Sequence, residues 1–288
     1  MKISIIGSGF VGEKVGRGFS TLGYDIIFHD INNEVLSKLE NEFETSIDLE
    51  YTINNSSISF ICVPTPYNNG FDSKYIESAL RDVSKVLKHK DDYHLVVIKS
   101  TVPPTMTRQV FLPILNENTE VGERVGLCMN PEFMTQHAES WTDDQKFSRN
   151  FNNEDRIVIG EYDKKSGDTL HKLYEPLNMP IFRTDLDTSE MVKYASNCML
   201  ATKISFWNQI FLICKQLGID SEKVAEISSL DPRIGTYGIV HGKAFGGACL
   251  EKDLKSFIEF ADEFADESLL QAVNKINEEM KKNFGIRC

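Results

Sequence analysis

Lys2 to Ile6 alternates and then runs apolar, as a buried parallel strand does, and it leads straight into Gly7-Ser8-Gly9-Phe10-Val11-Gly12. An apolar spacing of helical period follows at Val11, Val15, Phe19 and Leu22. Gly23 stops it, and Tyr24 to His29 reads as a second strand ending on Asp30. Few folds accept this order. A GxGxxG taken alone is weak, but one between a strand and a helix, with an acid about twenty residues further on, marks a βαβ unit built around a dinucleotide. The glycines permit a tight turn and let a pyrophosphate approach the helix N-terminus, where N–H groups and the helix dipole favour anions. Asp30 would accept from ribose hydroxyls and repel a 2′-phosphate, which selects NAD over NADP. Gly7, Gly9, Phe10, Val11, Gly12 and Asp30 are the expected cofactor residues; the competing reading is a glycine turn that binds nothing.

Strand and helix keep alternating. Ser57 to Val63 is a strand ending in Pro64-Thr65-Pro66, Ser73 to Lys88 reads as a helix, and Tyr93 to Lys99 is a strand ending in Ser100-Thr101-Val102-Pro103-Pro104. A helix should then run to about Leu115. Arg124 to Met129 ends in Asn130-Pro131-Glu132-Phe133, and Arg156 to Ile159 and Pro180 to Arg183 are the last strands, with a helix from about Lys164 to Leu177 between them. The pattern predicts an α/β fold with a doubly wound parallel sheet. Ligands in such folds lie at the carboxyl ends of the strands, where Thr65, Thr101 and Glu132 fall. The polar stretch Gln136 to Asp155 reads as an exposed loop with no legible role.

From Asp187 the pattern changes. Asp187 and Glu190 fit a capping box, and no Gly or Pro interrupts the chain until Gly218, so a helix of about thirty residues, spanning ~45 Å, is expected to lead into an all-α domain. Residues 1–186 should form the sheet domain and 187–288 the helical one. The apolar stripe Val192, Ala195, Met199, Ile204, Trp207, Phe211 and Cys214 reads as core or subunit interface. Lys193 and Asn197, four apart, share a face near the start of this helix, although an ordinary solvated face is the plainer reading of the pair. Helices at Ser221–Leu230, Leu250–Glu263 and Ser268–Phe284 complete the second domain.

One loop in that domain bears chemistry. Phe245-Gly246-Gly247-Ala248-Cys249 puts a cysteine behind two glycines, in a turn that can aim main-chain N–H groups at negative charge. Glu251 and Asp253 suit the first turn of a helix from about Leu250, which brings Lys252 and Asp253 within one turn of the sulfur. By itself the pattern suits a buried structural cysteine better than a thiolate. The six cysteines (62, 128, 198, 214, 249, 288) form no CxxC pair, so neither a metal site nor a disulfide framework is expected. A net charge of −12 disfavours nucleic acid and anionic membranes as partners. No apolar run is long enough for a membrane span and the N-terminus has no signal-peptide layout, so a cytoplasmic location is expected.

Taken together, CVPTP (62–66), KSTVPPT (99–105), NPEF (130–133), RIVIG (156–160), the Lys193/Asn197 helix, DPRIG (231–235) and FGGACLEKD (245–253) resemble the UDP-glucose/GDP-mannose dehydrogenase family of nucleotide-sugar 6-dehydrogenases. The resemblance covers nearly the whole chain. It implies a Rossmann-like NAD domain, with Val63, Pro64, Thr65, Ser100, Thr101 and Lys252 also on the cofactor side, and central helices that form a homodimer. It implies a nucleotide-sugar substrate whose C6 alcohol is oxidised twice to a uronic acid. Cys249 would be the nucleophile, passing through a thiohemiacetal and a thioester. Lys193 and Asn197 would stabilise oxyanions, Asp253 with Thr101 would position a water, and Glu132 would assist hydrolysis. The resemblance puts Glu132, Phe133, Lys193, Asn197, Arg233, Phe245 and Gly246 on the substrate side, with Arg233 reaching the neighbouring subunit's sugar nucleotide.

The chain departs from the family pattern at several places. Gln136 stands where a second glutamate is common, His241-Gly242 stands where Pro-Gly is usual, and the segment between Asp30 and Ser57 is short. The sequence ends at Cys288, just after the central helices, so the expected chain lacks a second Rossmann-like domain and is expected to bind substrate weakly unless a separate subunit or another protein supplies the missing nucleotide-binding wall. Two other readings stay open: a β-hydroxyacid dehydrogenase making one oxidation with Lys193 and Asn197, and a non-catalytic NAD-binding protein.

Overall fold

The computed structural model describes residues 1–68, 70–135, 141, 147–247 and 249–287, so Gln136, Ala248 and Cys288 lie outside the described residues. Its first elements follow the sequence closely. β1 (Lys2–Ile6) passes into α1 (Phe10–Thr21), then β2 (Asp25–His29). α2 (Asn33–Leu36), β3 (Glu44–Ser46) and α3 (Leu49–Asn54) follow, three short elements that no periodicity announces. β4 (Ile58–Ile61), α4 (Lys74–Leu87), β5 (His94–Ile98), α5 (Leu112–Leu115) and β6 (Val125–Met129) continue the winding. β7 (Ile157–Glu161), α6 (Lys164–Tyr174) and β8 (Ile181–Thr184) finish it.

The strands form one sheet in the order β3-β2-β1-β4-β5-β6-β7-β8. The chain therefore winds outward in both directions from β1, and the carboxyl ends of β1, β2, β4, β5 and β6 share one edge. That places Gly7–Gly12, Asp30, Thr65, Thr101 and Glu132 along a single rim. Strands β4, β5 and β6 are buried throughout, which is why they read as unbroken apolar runs. Ile61, Ile98, Leu80, Val83, Phe111 and Leu127 fill one layer against α4 and α5.

Three expectations need correction. The sheet is not wholly parallel: β7 runs antiparallel to β6. A parallel neighbour needs a crossover that carries the chain back to its starting edge, and no helix among the described residues between 130 and 156 does so. The expected helix up to Leu115 begins instead as a π-turn at Thr107–Phe111 before α5 takes over, with Pro113 unable to donate to the carbonyl four residues earlier. The stretch 136–155 is not simply an exposed loop, because Trp141, Phe151 and Glu154 are buried. Phe151 packs on Phe19 with ring centroids 4.8 Å apart and occupies the space that a side chain at Gly18 would need.

α7 (Leu186–Leu217) is the long helix, unbroken for 32 residues. Its cap differs from expectation. Asp185 accepts from Thr188 N–H at 2.8 Å, Asp187 pairs with Arg108 at 2.7 Å, and Glu190 turns away to Thr107, so no Asp187/Glu190 capping box forms. α8 (Ser221–Ser228), β9 (Ala244–Phe245), α9 (Leu250–Ala261), α10 (Ser268–Phe284) and β10 (Ile286–Arg287) follow, with β10 parallel to β9. The chain divides into two compact units, Met1–Phe133 with Asn150–Lys193, and Met134–Arg149 with Tyr194–Cys288. The second has its own core of Trp141, Cys198, Ala201, Ile204, Phe245, Leu254 and Val273. Phe206, Ile213 and Leu217 of α7 are exposed. No described helix is long and apolar enough to cross a membrane.

Candidate functional site

In the sheet unit the glycine turn is built as the motif requires. Gly7 has φ +89, and a Cβ there would press on the Cys62 carbonyl carbon and Val63 nitrogen at 2.9 Å. Gly9 is the N-cap of α1, and nothing lies within 4 Å of where its Cβ would be. Backbone N–H groups at the start of α1 are therefore open to an anion, which fits a pyrophosphate. Asp30 ties the turn to β2: Oδ2 accepts from Ser8 N–H at 2.8 Å and Oδ1 from Asn32 N–H at 2.9 Å. Each oxygen keeps a lone pair for a ribose hydroxyl. Phe10 is exposed, Val11 is half-buried, and Lys14 lies over the Phe10 ring.

The ends of β4, β5 and β6 complete the rim. Ser100 is buried and donates to the Val63 carbonyl at 2.6 Å, which locks the two strand ends together; Pro64 is exposed, and Thr65 and Thr101 are half-buried. Behind them sits a buried polar cluster that the sequence did not reveal. Lys99 Nζ donates to Asn130 Oδ1 at 2.8 Å, Tyr174 donates to the same oxygen at 2.6 Å, and Asn130 Nδ2 donates to the Val158 carbonyl. Lys193, 4% exposed, reaches the same region from α7, donating to the Glu132 carbonyl at 2.7 Å and to Glu132 Oε1 at 3.1 Å. Glu154 Oε2 accepts from Phe133 N–H at 2.9 Å. Burial pushes the Lys99 ammonium below its usual range and the Glu154 carboxyl above its own, while the opposite charges nearby resist both shifts. The cluster holds the NPEF segment and the Lys193 amine in one arrangement.

The helical unit builds the cysteine loop. Phe245 is fully buried, and Asn277 of α10 accepts from its N–H and donates to its carbonyl, both at 2.9 Å. Asn208 of α7 holds the preceding turn by accepting from Gly242 N–H and donating to the Lys243 carbonyl. Gly246 leaves room for Ile286, which a Cβ would meet at 2.5 Å, and Gly247 turns the chain at φ +87. Cys249 is the N-cap of α9 and is exposed, so it is not the buried hydrophobe that the motif alone favoured. One turn on, Asp253 is buried at 1% exposure. Its Oδ2 accepts from Asn197 Nδ2 at 2.6 Å. Lys252 Nζ stands 2.7 Å from Oδ1 as an ion pair, outside hydrogen-bonding geometry, so Oδ1 accepts no hydrogen bond from the described groups. Arg233 projects into solvent, paired with Asp231 at 2.7 Å.

Lys193 and Asn197 lie one turn apart on α7, in the same stripe as Glu190. Charged and amide side chains that recur with the helix's buried phase were a legible signal, and Glu190 belonged to it. Asn277 had a comparable one, lying between Val273 and Met280 on the buried face of α10. Lys99 and Glu154 had none. Their burial arises from packing between strands distant in sequence.

The strand order, the open glycine cradle and Asp30 define a Rossmann-type dinucleotide-binding protein. The chain belongs to the UDP-glucose/GDP-mannose dehydrogenase family: the family's NAD binding domain matches residues 36–178 and its central domain matches residues 187–279. It is 32% identical to the GDP-mannose 6-dehydrogenase of Pseudomonas syringae pv. tomato, over 98% of this chain and 69% of that protein. It is also 32% identical to a UDP-glucose 6-dehydrogenase of Haloferax volcanii, over 96% of this chain and 70% of that one. Among solved structures, a UDP-glucose dehydrogenase from Pyrobaculum islandicum superposes with a TM-score of 0.87 at 30% identity, covering 98% of this chain and 68% of that chain. A Mycobacterium tuberculosis 3-hydroxyisobutyrate dehydrogenase shares the fold, with a TM-score of 0.72 at 14% identity. The chain is thus an NAD-dependent dehydrogenase, with NAD as its cofactor.

Proposed function

We propose that this enzyme oxidises the C6 alcohol of a nucleotide sugar, UDP-glucose or a close analogue, to the uronic acid in two steps through a covalent bond to Cys249. NAD supplies the hydride acceptor at each step. The observation that carries this reading is the first turn of α9, where an exposed cysteine at the N-cap precedes a buried aspartate held by Asn197 and ion-paired with Lys252. A single oxidation needs no nucleophile; a second does, because an aldehyde offers no hydride until something adds to its carbon.

In the first step a water held by Asp253 Oδ1 and the Thr101 hydroxyl takes the C6 hydroxyl proton as C6 loses hydride. Cys249 thiolate then adds to the aldehyde carbon, and the Lys193 ammonium and Asn197 amide stabilise the oxyanion of the thiohemiacetal. Loss of the second hydride from C6 leaves a thioester. Water, activated by Asp253 and assisted by Glu132, adds to the thioester carbon, and the C–S bond breaks to release carboxylate and thiolate. Lys193 suits an oxyanion because its amine is buried and already fixed by Glu132. Phe133, beside Lys193 and Arg156, and the clamped Phe245-Gly246 segment would bound the sugar. The 32% identity to relatives named for either sugar nucleotide leaves the base and sugar to experiment. A panel of UDP- and GDP-hexoses with NAD, read by mass spectrometry, tests the reading. A uronic acid from at least one of them is expected, and a product arrested at the aldehyde would overturn the two-step scheme.

A further inference from the structure

The chain beyond α10 turns back onto the cysteine loop. Gly285, at φ +80, ends the helix, and Ile286 and Arg287 then run along β9 in parallel, Ile286 opposite Ala244 and Arg287 opposite Phe245. Ala244 N–H donates to the Gly285 carbonyl at 3.0 Å. Two side chains carry this pairing into the loop. Ile286 Cγ2 lies 2.5 Å from where a Cβ on Gly246 would stand, so its methyl group fills the space that a side chain there would need. The Arg287 guanidinium donates to the His241 carbonyl at 3.2 Å and lies over the Trp141 ring, 5.9 Å from its centroid. His241 is anchored in turn: Nε2 lies 2.8 Å from the Ser221 hydroxyl at the start of α8, and Nδ1 lies 2.7 Å from the Ile239 carbonyl.

A two-residue strand adds little stability, and Ile286 is 39% exposed, so burial of apolar surface is not what β10 supplies. What it supplies is constraint. Asn208 and Asn277 hold residues 242–245 from α7 and α10, and β10 adds a third hold on 241–246. Just beyond, Gly247 stands at φ +87 with nothing within 4 Å of its Cβ position, so the turn into α9 depends on how its entry is held. We propose that Ile286 and Arg287 are positioning residues: they strap the segment 241–246 and thereby set where Cys249 presents its sulfur to the substrate. A reacting group misplaced by about 1 Å loses about 10²-fold in rate, so a loose entry slows bond formation at sulfur and spares a hydride transfer that does not use it. The bearing on catalysis rests on the two-step reading; the hold on the loop does not.

The contact between Gly246 and Ile286 supplies the test, run on the full chain. Gly246 lies outside the left-handed region, so the backbone accepts alanine there, and the added methyl meets only Ile286. In Gly246→Ala the new methyl crowds Ile286 Cγ2, and in Ile286→Ala the methyl that held the loop is gone. In the double variant the two Cβ atoms face each other at 3.8 Å, an ordinary contact. Exchange of the Ala244 amide, measured without substrate, should speed up roughly tenfold in each single variant and return to near the wild-type rate in the double one. Exchange unchanged in either single variant, or not recovered in the double one, overturns the strap. Should these variants not fold, Arg287→Met decides through the same amide: faster exchange is expected, and an unchanged rate overturns the strap. For the positioning role, NADH is followed in a single turnover of Arg287→Met on the sugar nucleotide found by the panel. The first NADH should appear at the wild-type rate and the second roughly tenfold more slowly, whereas equal slowing of both, or of neither, overturns that role. A wild type that forms one NADH only overturns the two-step reading, and the amide series still decides the strap.

Discussion

Cys249 differs from the other described cysteines in access. Cys62 and Cys198 are buried, and burial pushes each thiol up to about 12; Cys128 is raised as well and Cys214 is buried. A thiol of pKa 12 is thiolate to only about one part in ten thousand at pH 8. Cys249 is exposed at the N-cap of α9, where a reagent can reach it. Iodoacetamide at pH 8, followed by peptide mass spectrometry, should therefore label Cys249 well ahead of Cys62, Cys128, Cys198 and Cys214. Labelling of Cys62 or Cys198 at a comparable rate would contradict this account. At this scale the sequence announced residue types better than environments. The glycine pair before Cys249 was legible, since turns need glycine for a steric reason. The contact of Asp253 with Asn197 was not, because a hydrogen bond across 56 positions leaves no local trace.

The elements are held by polar clamps as much as by apolar packing. The clearest is Asn277, which occupies both main-chain groups of Phe245 and thereby joins α10 to the strand before the cysteine loop. Asn277→Leu would leave a buried N–H and a buried carbonyl without partners, a loss of about 2–4 kcal/mol. Chemical denaturation should show a destabilisation of that size, and a change below about 0.5 kcal/mol would contradict the clamp. Element identity was largely legible from period. α7 could be read at its full length because no glycine or proline breaks it before Gly218. Its cap was misread because Asp185, Asp187 and Glu190 all suit a first turn, and tertiary partners decide among them. The antiparallel β7 was illegible for a similar reason: direction depends on the path of a connection, not on the strand's own residues.

At the scale of the whole molecule, a net charge of −12 coexists with lysines placed in buried positions at the strand ends, so overall charge says little about how an anionic substrate is held. The family assignment and the fold account for NAD and for hydride transfer; the proposed two-step chemistry is set apart from a one-step alcohol oxidation by the role it gives to the cysteine. The direct test is the number of NADH formed per sugar nucleotide consumed, with wild type and Cys249→Ser compared on the substrate found by the panel. The account predicts a ratio of about two for the wild type, falling to about one or to no turnover in the variant, because the second oxidation needs a covalent adduct. A ratio of one in the wild type, unchanged by Cys249→Ser, would contradict it.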